Sequence, residues 1–337
     1  MTRSWRISFV VWMLASAATA PAQAQSVADF YRGKTINVLI GVGVGGEYDL
    51  QARLVARHIG KHIPGNPTVV AQNMTGAGGL KMANYLFNQA PRDGTNIGML
   101  GNNFPATQTV GGKGVQFNAA QFQWLGTIAP VVETMAVWHT TGVKTIDDLR
   151  KRPTVAGASG RGAITFFYPT MMNEFLGTKF KVVTGYQGGN AINLAMERGE
   201  VEARNNTWSS WKATRPAWLK EKKITIVVQA GPRASDLDVP SVEALAKTPQ
   251  DRQVIELIVS GTQLGRPLAT TPGVPAARVA ALRDAYRTTM KDPEFRKDAA
   301  KLNFEVNPVY GAQLQKAVER IISTPKQLAA RAKPLLE

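Results

Sequence analysis

The sequence predicts an α/β protein built as two domains with a cleft between them. Three observations lead there. The chain has 337 residues, long for a single core, so two domains are expected. Short apolar runs alternate with amphipathic segments, the pattern of parallel βαβ units. That pattern runs twice, with glycine loops after the strands, and ends in a largely helical tail. A hydrophobic fraction of 44% and 31 glycines suit a soluble protein of this class.

Residues 1–24 read as a removable signal peptide outside the fold. Arg3 and Arg6 form a positive start, Ile7 to Ala20 is apolar but short for a bilayer, and Ala22-Gln23-Ala24 fits a small-x-small cleavage site before Gln25. The competing reading is an uncleaved anchor. Cysteine is absent, so neither a disulfide framework nor a lipidated cysteine is expected, and core size must carry the stability. Losing Arg3 and Arg6 takes the formal charge from +16 to +14. That charge favours anionic partners, but Lys and Arg are spread without a dense run, so nucleic acid is not expected.

The first half begins with a strand at 35–40, a loop Gly41-Val42-Gly43-Val44-Gly45-Gly46, and a helix over 48–60 that His-Ile-Pro-Gly-Asn-Pro breaks at 62–67. A buried strand at 68–72 follows, then a second loop, Thr75-Gly76-Ala77-Gly78-Gly79, and a helix from Leu80. After the turn at 91–95 comes a strand at 96–100 and the polar loop Gly101-Asn102-Asn103. In open sheets of this kind ligands sit beyond the carboxyl ends of the strands, where all these loops fall. The apolar run from Trp124 to Trp138 carries the chain to a second body. There, strands are expected at 154–158, 180–184 and 224–229, with loops Ser159-Gly160-Arg161-Gly162, Gly185 to Asn190, and Asn205-Asn206-Thr207-Trp208. Helices are expected at 164–176 and around 192–196. Residues 231–240 are the return crossing. Helices at 241–247, 251–259, 276–290, 293–302 and 310–332, the last interrupted by Pro325, complete the first domain. The domains are therefore 25–126 with 232–337, and 127–231, joined by two crossings as a hinged clamp.

Gly41, Gly43 and Gly46 spell G-x-G-x-x-G between a strand and a helix, the dinucleotide fingerprint in its proper context. The acid that should bind the ribose is missing: no Asp or Glu occurs from Leu50 to Arg92. What remains is a loop offering N–H groups to an anion at a helix N-terminus, or simply a tight turn. His58 and His62 have metal-ligand spacing, but Ile59 stands where a metalloprotease needs Glu; two histidines opposing a helix dipole is the plainer account. Ser159 is not a nucleophile elbow, because Arg161 replaces the required Gly. Its loop suits an anion cradle, with Arg161 able to grip a carboxylate or simply solvated. Trp211 and Trp218 read as packing and Trp208 as a ligand neighbour. Glu47 and Asp49 suit a helix first turn; no acid elsewhere marks itself as a catalytic partner, and Asp49 either caps the helix or orders the loop.

Val44-Gly45-Gly46-Glu47-Tyr48-Asp49 with Ala52-Arg53 resembles a "P-G-G-x-x-D…A-R" segment, Gln72 to Gly79 resembles "E-N-x-x-G-A-G-G", and Ala90 to Thr95 resembles "A-P-D-G-Y-T". Tyr186-Gln187-Gly188 is similar to a "Y-K-G" loop, and Asp292-Pro293-Glu294-Phe295-Arg296 holds the usual tail position. These belong to the substrate receptors of tripartite tricarboxylate transporters, the Bug (TctC-like) receptors, and the order of elements matches over the mature chain. The resemblance implies the periplasmic-binding-protein, or Venus-flytrap, fold, each domain a mainly parallel sheet flanked by helices. It implies a non-enzymatic, monomeric periplasmic receptor without cofactor or metal, closing on a small organic carboxylate and passing it to membrane permease subunits. The implied ligand contacts are Gly45, Gly46, Asp49, Gly76, Ala77, Gly78, Gly79, Ser159, Gly160, Arg161, Gly162, Tyr186 and Gly188. Position at the cleft edge adds Tyr48, Asn102, Asn103, Asn206, Thr207 and Trp208. Val44 for proline, Gln72 for Glu, and Arg161 with Ala163 depart from the family pattern, which leaves the kind of carboxylate open. The alternative is a nucleotide- or NAD-binding Rossmann-type enzyme using Gly41 to Gly46.

Overall fold

The strands assemble into two mixed sheets in a computed structural model that describes residues 25–336. The expected signal peptide lies outside the described residues. The first sheet contains β1 (Thr35–Ile40), β2 (Thr68–Asn73), β3 (Asn96–Met99), β4 (Gln123–Thr127), and, from the tail, β10 (Leu268–Thr270) and β11 (Val309–Tyr310), in the order β11-β4-β10-β3-β1-β2. The second contains β5 (Glu133–Trp138), β6 (Thr154–Gly157), β7 (Phe180–Val183), β8 (Ala203–Thr207) and β9 (Ile224–Ala230), in the order β7-β6-β8-β5-β9. Helices pack on both. The architecture is the two-domain periplasmic-binding-protein fold.

The sheets are less parallel than expected, for a topological reason. β1 runs parallel to β2 and β3, and β6 runs parallel to β7 and β8. These strands end at the edge where the sheets face each other. β5 and β10 each begin at that edge, so β5 pairs antiparallel with β8 and β9, and β10 pairs antiparallel with β3 and β4. The apolar run 124–138 is accordingly two strands in two sheets, with residues 128–132 between them.

Local chemistry explains the elements that hold the cleft edge. In β1, Ile36, Val38 and Ile40 are buried against Leu54, Val55 and Ile59 of helix Glu47–Ile59, and against Leu282 and Tyr286 of the tail helix Ala276–Lys291. In the second sheet Trp211 and Trp218 pack with Ile192 and Met196, and the Trp211 indole donates to Thr134 Oγ1 at 3.1 Å, which satisfies its one polar atom. The expected helix at 241–247 does not form. Gln229 N donates to Pro240 O and Val242 N to Gln229 O, so Ser241 bridges β9, and turns closed by Ala244 N to Ser241 O and Leu245 N to Val242 O follow before helix Pro249–Val259. Helix 310–332 is split, Gly311–Ile322 and Lys326–Arg331, by Pro325, as its missing N–H requires. Among the described residues no helix is long and apolar enough to cross a membrane.

Candidate functional site

The loops after β1, β2 and β3 face those after β6 and β7 across one seam, and main-chain atoms make much of the contact. Gly43 N donates to Gln187 O at 2.8 Å, and Asn103 Nδ2 donates to Gly162 O at 2.8 Å. Gly78 has φ +67°, and a Cβ there would lie 2.7 Å from Ala163 N, so both its conformation and its contact require glycine.

Behind the seam is a cavity of about 70 Å³. That is room for roughly five to seven waters. Of the expected ligand residues, Gly46, Tyr48, Gly78, Gly79, Asn103, Ser159, Gly188 and Asn206 line it. Gly76, Ala77 and Tyr186 line an adjoining space of about 160 Å³ that Gly78 and Ser159 share.

Others lie elsewhere. Asp49 is buried below the first loop, where its carboxylate accepts from Gly45 N at 3.0 Å, Arg53 Nε at 2.9 Å and Asn73 Nδ2 at 2.9 Å. Asp49 and Gly45 thus order the loop from behind. Asn73, at the position where a dinucleotide site would need its acid, is engaged in the same network and also donates to Val42 O. Gly160 packs on Gly78 and Ala77. Arg161 and Gly162 face a separate outer recess with Lys113. Asn102 bonds Tyr48 and Glu133 from behind the wall. Thr207 caps helix Trp208–Thr214, which turns Trp208 to an outer cavity where its indole donates to Asp236 at 2.8 Å.

The polar floor of the cavity is made by four charged residues that the sequence reading did not assign to it, each under 5% exposed: Glu47, Glu133, Arg204 and Arg266. Arg266 reaches Glu47 Oε2 through Nη2 at 2.8 Å and Nε at 2.9 Å, donates to Tyr48 OH at 3.1 Å, and lies 4.1 Å from the Tyr48 ring centre. Thr207, the last residue of β8, and Ser209, in the helix that follows it, also donate to Glu47. Glu47, at the start of a helix on the first sheet, is therefore tied to both halves. Gly265 makes room for Arg266: its φ is +62°, and a Cβ would sit 2.0 Å from Ala129 O. Glu133 opens β5. Burial pushes its pKa up, Arg266 opposes the rise and Glu47 adds to it. Arg204 lies in β8, stacked 5.1 Å from the Trp211 ring, and donates to Gly189 O, Asn193 Oδ1 and Asn205 O. Among the described residues no carboxylate pairs with it. Burial, then the charge of Arg215, lowers its pKa to about 9, the signature of a buried cation short of negative charge.

A sequence signal for these residues existed. Glu133 interrupts an apolar run, and Arg266 stands between Leu264 and Pro267-Leu268; an isolated charge in an apolar segment must find a buried partner or a ligand. The two histidines are structural: His58 contacts Asp298 at 3.1 Å and His62 contacts Asp292 at 2.9 Å. His58, Asp292 and Glu294 are close enough to share an ion, but the Lys61 ammonium already bridges the two acids, 2.8 Å from Asp292 and 2.5 Å from Glu294.

Two sheets meeting at one seam, with a small polar cavity behind it, are the arrangement of the two-domain periplasmic-binding-protein fold. Its structural neighbours include Bug/TctC periplasmic binding proteins, the group whose motifs the sequence resembles. The periplasmic binding protein BugD superposes with TM-score 0.73 at 19% identity, over 90% of this chain and 98% of that one. MatC from Rhodopseudomonas palustris with bound malate gives TM-score 0.69 at 18% identity, over 90% and 99%. Rpa4515 of R. palustris with adipate gives 0.69 at 19% identity, over 89% and 97%. Among curated proteins, the UPF0065 protein in gbd 5′region of Cupriavidus necator is 26% identical over 304 residues, 87% of this chain and 84% of that protein. No family model matches the sequence.

Proposed function

We propose that this chain is a substrate receptor of the tripartite tricarboxylate transporter type, exported by residues 1–24, which captures a small organic carboxylate between its domains and presents it to membrane permease subunits. The body formed by 25–126 and 232–337 closes on the body formed by 127–231. The observation that carries the reading is Arg204: a buried guanidinium beside the cavity with neutral partners only, in a wall that also offers the loop backbones at Gly46, Gly78, Gly79 and Gly188. A carboxylate supplies the charge Arg204 lacks, through charge-assisted hydrogen bonds. The malate and adipate held by MatC and Rpa4515 support a carboxylate as the ligand class. Two facts weigh against a dinucleotide enzyme. Asn73 occupies the ribose-binding acid's place and is already bonded, and the glycine loop that would hold the pyrophosphate spends Gly43 N on Gln187 O across the seam.

A thermal-shift screen of mono-, di- and tricarboxylates tests this. A ligand at about 100 times its dissociation constant stabilises by about 2.7 kcal/mol. With roughly 310 ordered residues the unfolding entropy is about 0.65 kcal/mol/K, so the midpoint should rise by about 4 °C. Arg204→Met should abolish the rise. If no carboxylate moves the midpoint, or if Arg204→Met responds as the wild type does, the reading fails.

A further inference from the structure

The four buried charges do not neutralise each other in pairs. Arg266 and Glu47 form a close pair, with two contacts under 3 Å, and Thr207 and Ser209 complete the Glu47 carboxylate. Glu133 is left with weak company. Its Oε1 has Arg266 Nη1 at 3.5 Å and Asn102 Nδ2 at 3.4 Å, and its Oε2 has the neutral Asn205 Nδ2 at 3.1 Å. Arg204 has only neutral acceptors. A carboxylate short of cation and a guanidinium short of anion thus line the same small cavity.

They do not pair with each other. Glu133 stands opposite Thr207 in the β5–β8 ladder and Arg204 stands opposite Ala136. Three residues of extended chain separate them, roughly 10 Å at the backbone. Two unpartnered amide atoms extend this polarity. Asn205 Oδ1 is a buried acceptor without a donor, on the side chain that reaches Glu133, and Asn206 Nδ2 is a buried donor without an acceptor, two residues along β8 from Arg204.

We propose, on the receptor reading above, that the ligand is a small amino-carboxylate bound as a zwitterion, its carboxylate at Arg204 and its ammonium at Glu133. Charge supports this. Glu47, Glu133, Arg204 and Arg266 sum to zero, so a zwitterion keeps their balance, whereas a simple carboxylate adds a negative charge that only the half-buried Arg215 stands near enough to offset. Hydrogen-bond capacity agrees: an ammonium has three donors and no acceptor, matching Glu133 and Asn205 Oδ1. The cavity of about 70 Å³ and the adjoining space of about 160 Å³ suit a small ligand.

The experiment is calorimetric titration of the purified protein with matched pairs: alanine and propionate, proline and cyclopentanecarboxylate, 4-aminobutyrate and butyrate. In at least one pair the amino member should bind tenfold or more tighter than its amine-free counterpart. Glu133→Gln should bring that ratio toward one, and Arg204→Met should weaken the amino member at least tenfold. If the amine-free acids bind as well as the amino acids in the wild-type protein, the zwitterion proposal is overturned while the receptor reading stands. If neither these compounds nor the wider carboxylate panel binds, the receptor reading falls and takes this proposal with it. The wild-type comparison needs no variant to fold, so poor folding of Glu133→Gln does not blunt the test.

Discussion

Replacing Arg266 by Met isolates the energetics of the cavity floor. The side chain is 4% exposed and holds the 2% exposed Glu47 carboxylate at 2.8 Å, with Glu133 at 3.5 Å. Met keeps most of the aliphatic volume but removes the cation that both carboxylates face. Breaking a buried pair from one side costs about 3–5 kcal/mol, mostly because the remaining charge is stranded without water. At about 0.65 kcal/mol/K for roughly 310 residues, this lowers the unfolding midpoint by about 5–8 °C. Differential scanning calorimetry at neutral pH reads it directly. Glu47→Gln in the Arg266→Met background should recover part of the loss, because the stranded charge is then gone. The double variant should therefore be more stable than the sum of the single changes predicts, by about 0.5–3 kcal/mol. A midpoint drop below about 2 °C, or strict additivity, would refute the account of a desolvated, mutually dependent pair.

Gly78→Ala should weaken ligand binding more than tenfold in titration calorimetry, because the added methyl strains φ +67° and meets Ala163 N at 2.7 Å across the seam; unchanged affinity would mean that the loops need not approach. Asp49→Ala removes the acceptor of Gly45 N, Arg53 and Asn73, and should cost about 2–3 kcal/mol, a midpoint drop of about 3–5 °C; a neutral result would show that the first loop keeps its form without it. Acid should also unfold the protein in a defined window. Lys301 first, then His58, draws the Asp298 carboxyl down to about 2, and Lys61 holds Asp292 below the ordinary carboxylate range. A carboxylate whose folded pKa lies below its unfolded value contributes stability that is fully present above about pH 4 and is lost as pH falls toward the folded value. The midpoint should decline between about pH 4 and 2, and Asp298→Asn should flatten that decline; an identical slope in the variant would contradict the assignment.

The strand–loop–helix units were legible because their signals are local. The apolar β1, the glycines after it and the amphipathic helix beyond occupy one stretch of chain, and the same holds around β2 and β6. That placed Gly46, Gly78, Gly79, Ser159 and Gly188 on one cavity wall. The charged floor was legible only in part: Glu133 and Arg266 stand out as isolated charges in apolar segments, but their pairing is hidden because the partners are distant in sequence, Glu47 meeting Thr207 and Arg266, and Arg266 meeting Glu133. A charge at the start of a helix or strand reads the same whether it faces water or an arginine from a distant part of the chain. The N-capping role of Thr207 shows a second limit. It lies next to Trp208, but the cap itself sets the helix direction and turns the indole outward to Asp236. The antiparallel strands were hidden for a similar reason: the direction of β5 and β10 follows from where the chain crosses between sheets, which no local pattern records.

The hydrogen bond from Gly43 N to Gln187 O joins the two lips through main-chain atoms. Substitution at either residue leaves those atoms in place, provided that the loops keep their course. The walls behind, at Glu133, Arg204 and Asn206, consist of side chains that can be exchanged one at a time. On the receptor reading, a lineage of such proteins changes what it carries while keeping how it shuts, and an engineer retargeting this one should redraw the floor of the cavity and leave the glycine lips alone.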